Sequence, residues 1–174
     1  YGGLAGRDID AMATGLIEGI DEGYLSYRAS QVKWLHDELK DRGVPVLSPP
    51  GGHAVYIDAG AILPHVPASE FPAQSLSIEM YLEGGVRSVE IGSVMMSFIS
   101  PDTGELVTPP LELIRLAIPR RTYTESHLCH VVDTAVAIVE RAELIGGMQI
   151  IEAPEFLRHF SARFDWLNRT QTFC

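Results

Sequence analysis

The sequence predicts an α/β domain, an α+β two-layer sandwich, and three observations support this fold class. The chain has 174 residues, of which 46% are hydrophobic, enough for one domain with a sizeable core. Three long stretches carry apolar residues at three- and four-residue spacing, which is typical of helices that bury one face. Short apolar runs bounded by glycine and proline indicate strands. The predicted order is helix, two strands, helix, two strands, helix and strand, and such a series forms two layers around one core. We therefore expect a single domain over residues 1–174.

The first 43 residues are predicted to form a helical entry segment. Apolar positions recur at helical spacing throughout residues 8–42. Three glycines weaken the first half of this stretch, so a break near Gly23 is expected. Gly43 and Pro45 end the helix, because glycine favours a helix C-terminus and proline cannot continue one. The small α/β domain is expected to follow over residues 44–174.

The remaining elements follow from periodicity and turn residues. The helix at 124–143 has the most regular apolar face, and Thr122 with Glu125 predicts a capping box at its start. Gly84 and Gly85 are expected to end the helix before it. Strands are predicted at residues 45–47, 54–57, 86–91, 113–118 and 148–151, helices at 69–83 and 124–143, and residues 156–166 complete the domain.

The composition excludes several classes of function. The formal net charge of −10 argues against a nucleic acid or an anionic membrane surface as partner. No apolar run approaches the roughly 20 residues that a membrane-spanning helix needs. Cys129 and Cys174 are the only cysteines, which predicts no disulfide framework and favours a reducing cytoplasm. The chain begins YGGLAGR, which is neither a signal peptide nor the context of an initiator methionine, so we expect a fragment of a longer protein.

Motifs that identify a reaction on their own are not found. The sequence contains no nucleophile elbow, no P-loop and no dinucleotide-binding fingerprint. His127 and His130 share a predicted helix face, but no second ligand pair is near in sequence, so surface histidines are expected there and not a metal site. The only lysines, Lys33 and Lys40, fall on the first predicted helix, and neither is expected to be a buried Schiff-base lysine.

Arg115 is the residue whose surroundings point most directly to a ligand. It lies in the apolar segment LIRLAIP at residues 113–119, where burial of a guanidinium is costly unless an anion pairs with it. Either a carboxylate of the protein or the carboxylate of a substrate could be that anion, and a planar guanidinium binds such a group through two hydrogen bonds. Considered alone, His159 would be interpreted as a core histidine with its hydrogen bonds satisfied or as a surface histidine. Ile91 alone would be interpreted as a core residue.

Several short segments form a pattern that runs along nearly the whole chain. They are residues 1–8 (YGGLAGRD), 51–58 (GGHAVYID), 71–74 (FPAQ), 85–90 (GVRSVE), 115–120 (RLAIPR) with 123–124 (YT), and 157–160 (LRHF) with 162–164 (ARF). In this order they resemble the β-eliminating lyases, the family that contains tryptophanase and tyrosine phenol-lyase. No single segment identifies the family, but so many in the same order do.

The resemblance implies a fold-type I enzyme that depends on pyridoxal phosphate, is tetrameric and is activated by K⁺. Such an enzyme would cleave an aromatic amino acid into an aromatic leaving group, pyruvate and ammonia. In that family the Schiff-base lysine precedes the segment that matches residues 1–8. The resemblance therefore implies that this chain is the C-terminal part, with the small domain but without the cofactor-binding domain. By itself the chain would bind no cofactor and be inactive. A catalytically silent interaction or oligomerisation domain is the alternative of another class.

The resemblance also implies roles for four residues. Arg115 matches the arginine that binds the α-carboxylate of the substrate. Two positions distinguish the branches, because tyrosine phenol-lyase has an arginine where this chain has Ile91 and a phenylalanine where this chain, like tryptophanase, has His159. The implied substrate is therefore tryptophan, with His159 as a catalytic residue near the indole nitrogen and with Ile91 and Phe160 beside the ring. Tyrosine phenol-lyase is the runner-up. At residues 96–98 (MSF) the chain departs from the family, which commonly has a glycine–arginine pair in this loop.

Overall fold

Helices and short strands alternate along the chain, whose structure is a computed structural model that describes residues 2–167. The helices are α1 (Gly6–Gly19), α2 (Glu22–Asp41), α3 (Ala59–Ile62), α4 (Pro72–Gly84), α5 (Ser93–Met96), α6 (Glu125–Glu140) and α7 (Arg158–Ser161). The strands are β1 (Ala54–Asp58), β2 (Val89–Ile91), β3 (Phe98–Ile99), β4 (Leu106–Val107), β5 (Leu113–Ala117), β6 (Met148–Glu152) and β7 (Arg163–Trp166). The result is a mixed helix-and-sheet domain, compatible with the predicted α/β class. None of the helices within the described residues is both long enough and apolar enough to cross a bilayer.

The helical entry segment is broken where α1 ends and α2 begins. Asp21 caps α2, because its carboxylate accepts a hydrogen bond from the Tyr24 N–H at 2.8 Å. The break predicted near Gly23 is confirmed, and it lies at residues 20–21. None of the residues of α1 is buried, although its apolar side chains recur at helical spacing.

The central sheet has three antiparallel strands in the order β1-β5-β2. Ile114 in β5 lies opposite Ile57 in β1 and Glu90 in β2. Side chains of a strand alternate between its two faces, so Ile114 and Leu116 point to the same side of the sheet. All four of these side chains are buried. Arg115, between two buried neighbours in sequence, therefore points to the other side.

Helices α2, α4 and α6 cover the buried face of the sheet and complete the core. Full burial of a valine, leucine, isoleucine or methionine side chain contributes roughly 1.5–3 kcal/mol to folding. The other face is only partly covered, since Val89 and Ala117 are exposed on it. The core residues include Val32, Leu35 and Leu39 from α2, Ala73, Leu76 and Met80 from α4, Leu128, Val132, Ala135 and Ile138 from α6, and Val55, Ile57, Ile114 and Leu116 from the sheet.

Two predicted strands are shorter than expected. The segment at residues 45–47 pairs with β1 only through an isolated bridge at Val46. At the end of α4, the Val86 N–H donates to the Met80 carbonyl at 3.1 Å. Because this bond belongs to the helix C-terminus, Val86 is not free to extend the sheet, and β2 begins only at Val89.

Two antiparallel sheets of two strands each lie outside the central sheet. β3 pairs with β4, and this hairpin is not predicted by the sequence, because its two-residue strands are exposed on both sides. The strand predicted at residues 148–151 is confirmed as β6. It pairs with β7, which lies within the unassigned segment 156–166, and not with the central sheet.

The start of α6 differs from its predicted capping box. The helix begins at Glu125, and Thr124 precedes it as the N-cap. The Thr124 N–H donates to Nδ1 of His127 at 3.2 Å, whereas the Thr122 hydroxyl donates to the Arg120 carbonyl at 3.0 Å. The predicted pair of Thr122 and Glu125 is wrong, because Thr122 belongs to the turn that precedes the helix.

Helices α4 and α6 pack closely where α4 ends. A Cβ atom at Gly84 would meet Oγ1 and Cγ2 of Thr134 and would lie 3.0 Å from its Cβ. Thr134 is buried, and its hydroxyl donates to the His130 carbonyl at 2.7 Å. Nε2 of His130 in turn hydrogen-bonds the Gly84 carbonyl at 2.8 Å. The absence of a side chain at Gly84 therefore sets the distance between the two helices.

We expect Gly84→Ala to destabilise the chain by roughly 1–3 kcal/mol, because the new methyl group overlaps Thr134 in a packed interface. The free energy of unfolding in urea measures this cost. In a Thr134→Ala background two of the atoms that the methyl group meets are absent, so the cost should be smaller. The control is Gly15→Ala on α1, where a Cβ meets nothing within 4 Å and where alanine favours the helix. Equal costs of Gly84→Ala in both backgrounds would contradict this account.

Candidate functional site

Arg115 lies at the centre of the partly covered face of the sheet. β5 is the middle strand, and Arg115 is flanked by Tyr56 in β1 and by Val89 in β2. Because Ile114 and Leu116 are fixed in the core, strand alternation directs the guanidinium to the opposite side. The side chain of Arg115 is half-buried there.

The guanidinium of Arg115 has no hydrogen-bond or ion-pair partner among residues 2–167. Its Nε atom is buried and makes no hydrogen bond. Asp58 lies on the same face, opposite Leu113, but its carboxylate accepts the Ala61 N–H at 3.0 Å and caps α3. A buried donor without an acceptor costs about 1–3 kcal/mol, more where the donor is charged. An external anion would remove this cost, and a carboxylate matches the two-pronged geometry of a guanidinium.

Ile91 shares this face of the sheet with Arg115. It lies opposite Leu113, diagonal to the pair formed by Val89 and Arg115. Diagonal neighbours on one face of an antiparallel sheet are about 7–8 Å apart, within reach of a long side chain. Ile91 is half-buried and lies outside the hydrophobic core, which differs from its interpretation as a core residue. The face therefore presents an apolar side chain beside the unpaired cation.

His159 and Phe160 lie together on α7, outside the central sheet. Their ring centroids are 4.1 Å apart, His159 is half-buried, and Phe160 is 78% exposed. The preceding Arg158 connects them to α5, because its Nε donates to the Val94 carbonyl at 2.7 Å. The structure thus brings Arg115 and Ile91 together on the sheet and places His159 and Phe160 on a separate turn that contacts α5.

Two buried carboxyl groups hold α5 at the end of β2. Glu90 accepts the N–H groups of Val94 at 3.0 Å and Met95 at 3.1 Å. Glu112 accepts the N–H of Ser93 at 2.9 Å and also its hydroxyl. The first N–H groups of a helix have no partner within the helix, so these carboxyl groups satisfy donors that would otherwise be buried without acceptors.

The carboxyl groups of Glu90 and Glu112 approach each other at Gly92. A Cβ atom at Gly92 would meet Oε2 of Glu112 and would lie 2.9 Å from Oε1 of Glu90. Burial raises the pKa of Glu90 to about 7, and the charge of Glu112 adds to the rise. Burial also raises the pKa of Glu112, against the hydrogen bond from Ser93. Oε2 of Glu112 is buried without a hydrogen bond. Burial and the neighbouring carboxyl group of Glu112 therefore both favour the protonated form of Glu90.

The sequence patterns single out neither of these carboxyl groups. A signal was nevertheless present, because Glu90 interrupts the apolar run VEI at 89–91 and Glu112 interrupts LEL at 111–113. An acidic residue inside an apolar run must be partnered if the run is buried. Arg158 carries no comparable signal, since its partners are main-chain carbonyls that only the fold brings near.

His127 and His130, predicted to be surface histidines and not metal ligands, each hydrogen-bond a different part of the backbone. Within residues 2–167 no three His, Cys, Asp or Glu side chains are arranged to hold a metal ion. His127 accepts from Thr124 and His130 bonds the end of α4, as described above. Cys129 is a free, half-buried thiol, and Cys174 lies outside the described residues.

A separate cleft lies between the α1–α2 break and the segment after β5. Arg28 of α2 is buried beneath it and donates to the carbonyl groups of His53, at 3.1 Å, and Ile118. Arg121 lies 3.5 Å from the carboxylate of Glu18. The cleft is lined by Gly15, Glu18, Gly19, Tyr24, Leu25, Arg28, Gly52, His53, Arg120 and Arg121, and thus by none of the four residues with implied roles.

The free energy of unfolding of the chain should fall as the pH rises from 5 to 8. A carboxyl group with a raised pKa holds its proton more tightly in the folded state, so its stabilising contribution is complete below the unfolded value of 4.5 and is lost as the pH rises through about 7. The loss is on the order of 2 kcal/mol. Glu112→Gln removes one titrating group and lowers the pKa of the other, so the fall should be smaller.

Urea denaturation at pH 5, 6.5 and 8 measures this slope. Glu105→Gln, at an exposed position, is the matched control and should keep the slope of the wild type. An unchanged slope in Glu112→Gln would show that the two buried carboxyl groups do not titrate together.

Proteins named tryptophanase and tyrosine phenol-lyase match the chain over nearly its whole length. It is 51% identical to the tryptophanase of Salinibacter ruber over 162 residues, which are 93% of this chain and 34% of that protein. It is 48% identical to the tyrosine phenol-lyase of Pasteurella multocida over 165 residues, 95% of this chain and 36% of that protein. It is 47% identical to the tryptophanase of Hyphomonas neptunium, over 96% of this chain and 36% of that protein. No protein-family profile matches the chain.

The chain spans about a third of the length of the curated relatives it matches. The family that the short segments resemble is confirmed by these identities. The chain belongs to the tryptophanase and tyrosine phenol-lyase family and corresponds to the C-terminal part of its members.

Proposed function

We propose that the chain is the small C-terminal domain of a pyridoxal-phosphate-dependent lyase that cleaves tryptophan into indole, pyruvate and ammonia. The observation that carries the proposal is the unpartnered guanidinium of Arg115 on the partly covered face of the sheet. Membership in the tryptophanase and tyrosine phenol-lyase family supports the lyase class. We also propose that the parent protein acts in the cytoplasm.

In this proposal Arg115 binds the α-carboxylate of the amino acid. The guanidinium offers parallel N–H donors to the two oxygens of a carboxylate, and half-burial strengthens a charge-assisted hydrogen bond relative to bulk water. The position on the middle strand of the sheet fixes the cation, because β5 is paired on both sides. A substrate held in this way keeps one orientation of its Cα–H bond, and orientation of the reacting bond is a large part of catalysis.

The aromatic leaving group is proposed to lie between Ile91 and the rings of His159 and Phe160. Ile91 supplies an apolar contact beside Arg115, whereas an arginine at this position would instead address a phenol oxygen. His159 offers an imidazole that can hydrogen-bond near the indole nitrogen. The exposed ring of Phe160 provides a face for stacking. This combination favours tryptophan.

Tyrosine phenol-lyase activity is the alternative within the family. The overall identities do not separate the two substrates, because a tyrosine phenol-lyase at 48% and a tryptophanase at 51% are almost equally similar to the chain. The choice therefore depends on Ile91 and His159 alone. Residues 96–98, where the sequence departs from the family pattern, begin at the last residue of α5, the helix that follows β2 and Ile91.

The cofactor would be held outside this chain. Lys33 and Lys40 both project from α2 and are exposed, and Lys33 forms an ion pair with Asp37. Neither fits a Schiff-base lysine, which must lie in a site that excludes water. When bound, pyridoxal phosphate supplies an electron sink for the carbanion at Cα. We propose that a large domain elsewhere in the full-length protein binds it, that K⁺ activates the enzyme and that the parent is a homotetramer.

By itself the chain is proposed to be inactive. The second candidate function is therefore that of a catalytically silent interaction or oligomerisation domain. The observation that favours this reading is the apolar face of α1. None of its residues is buried, and Ile9, Met12, Leu16, Ile17 and Ile20 are each more than half exposed. Apolar patches of this kind mark surfaces that meet another protein surface. In the first reading the large domain covers this face.

The full-length protein that carries the chain tests the proposal. With pyridoxal phosphate and tryptophan it should release indole and pyruvate in equal amounts, whereas tyrosine should release little phenol. The isolated chain should show neither turnover nor cofactor absorbance. Phenol as the main product would transfer the proposal to the tyrosine branch, and turnover by the isolated chain would overturn the argument from its lysines.

Arg115→Ala in the full-length protein should raise KM for tryptophan by about tenfold or more, because a charge-assisted hydrogen bond of roughly 1.5–3 kcal/mol is lost. Steady-state kinetics of pyruvate release measure the change. Arg115→Lys keeps the charge without the two-pronged geometry and should lie between the wild type and the alanine variant. An unchanged KM in Arg115→Ala would remove this residue from the substrate site.

His159→Phe should lower kcat/KM for tryptophan by about tenfold, the effect of one hydrogen bond near the indole nitrogen. S-methylcysteine undergoes β-elimination with a small leaving group that carries no ring, so its turnover should change by less than about twofold. Comparison of kcat/KM for the two substrates gives the result. Equal losses on both would count against a role of His159 at the indole.

A further inference from the structure

Side-chain hydrogen bonds connect the turn that carries His159 and Phe160 to α5, and Arg158 makes them. Arg158 donates from Nε to the Val94 carbonyl at 2.7 Å. Its Nη2 donates to the carbonyl groups of Ser93 at 2.7 Å and Ser97 at 3.2 Å. Three of the five N–H donors of this guanidinium are thus bonded to main-chain carbonyls and hold the backbone.

These carbonyl groups belong to α5 and the residue after it. The last carbonyls of a helix lack partners within the helix, and a cation is favourable beside them. α5 is a single turn, so at least one of its free carbonyls would be left to water if Arg158 were absent. Arg158 therefore completes the C-terminal end of α5 as the two carboxyl groups complete its beginning.

The beginning of α5 is tied to the sheet. Glu90 lies in β2, directly before Ile91, and Glu112 directly precedes β5, the strand of Arg115. The N–H groups of α5 bind these two carboxyl groups at 2.9–3.1 Å. A continuous series of polar contacts thus runs from the strands of the sheet through α5 to Arg158 and the aromatic turn.

The backbone at the entrance to α7 also requires a restraint. Leu157 has φ 56° and ψ 39°, the left-handed region that is unfavourable for a residue with a bulky side chain. Such a conformation persists where the surroundings hold the backbone on both sides. The three bonds of Arg158, the next residue, provide that restraint.

We propose that Arg158 is a positioning residue for recognition of the aromatic leaving group. It fixes the His159–Phe160 turn to α5, so that these rings keep a constant distance from Ile91 and Arg115. The residue does not touch the substrate and acts through His159 and Phe160. This inference rests on the proposed function, since it concerns the same site.

The test uses the full-length protein with Arg158→Met, Arg158→Lys and a matched control. Arg158→Met keeps the length of the side chain but removes every donor. The control is Arg163→Gln, because Arg163 lies nearby in β7 and is exposed, with an ion pair to Glu152 at 3.4 Å. kcat/KM is measured for tryptophan, for tyrosine and for S-methylcysteine, whose leaving group carries no ring.

Arg158→Met is expected to lower kcat/KM for the aromatic substrate by about tenfold or more, while S-methylcysteine changes by less than about threefold. Arg158→Lys restores part of the loss, since an ammonium reaches fewer of the three carbonyls. Arg163→Gln behaves as the wild type. Combined with His159→Phe, Arg158→Met costs less than the sum of the two single changes, because both act on the same contact.

Hydrogen exchange gives a second readout that does not depend on turnover. In Arg158→Met the amides of residues 157–162 and 93–97 exchange faster, whereas those of β5 keep the rate of the wild type. Exchange unchanged at both segments overturns the attachment of the turn by Arg158. Equal losses on aromatic and ringless substrates, or no loss on either, overturn its role in leaving-group recognition. A wild-type protein that releases no indole or phenol overturns the proposed function itself, which separates the two failures.

Discussion

The register of β5 is the constraint on which the rest of the structure depends. Ile114 and Leu116 are buried under α2, α4 and α6, and a shift of one residue would exchange them with Arg115. The burial of two aliphatic side chains and the expulsion of a guanidinium from the core thus act in the same direction. β5 is also paired along both edges, so its register is held by two strands. The position of the Arg115 guanidinium is therefore a consequence of the core. Burial of Ile114 and Leu116 on one face of β5 places Arg115 on the other face.

The edge of the sheet shows the opposite arrangement, in which charged groups remain on the buried side. Glu90 lies on the same face as Ile114, and Glu112 lies directly before β5, and both side chains are buried. Their burial is tolerated because α5 supplies N–H donors and because burial raises the pKa of both groups and so favours their protonated forms. Gly92 is required by space, because a Cβ atom there would meet Oε2 of Glu112 and would lie 2.9 Å from Oε1 of Glu90. The short helix is therefore held by these hydrogen bonds together with the buried side chain of Val94.

Local patterns predicted the elements well where one interaction within the element decides the outcome. The break before α2 depends on Asp21, and the end of α4 depends on Gly85, whose φ of 65° favours glycine. The prediction failed where a neighbouring element competes for the same group, as at Val86, whose N–H is bound by α4 and is lost to β2. The candidate site divides in the same way. A cation in an apolar run marks Arg115 from the sequence, whereas the partners of Arg158 are backbone carbonyls that no sequence pattern reveals.

The proposed site separates two tasks that differ in how much they must vary among enzymes of one reaction class. Every α-amino acid has the same carboxylate, so the residue that binds it can lie on the most constrained strand of the domain. The leaving group differs from one substrate to another, and the proposal assigns its recognition to Ile91 at the edge and to the four-residue helix α7, which Arg158 ties to α5. A change in the second region would cost the core little, because α7 contributes no buried residue. The proposed division agrees with the comparisons, since the chain is almost equally similar to proteins named for two different aromatic substrates. In the proposed site both substrates share the fold and the carboxylate-binding arginine, and residues at the end of β2 and on α7 distinguish between them.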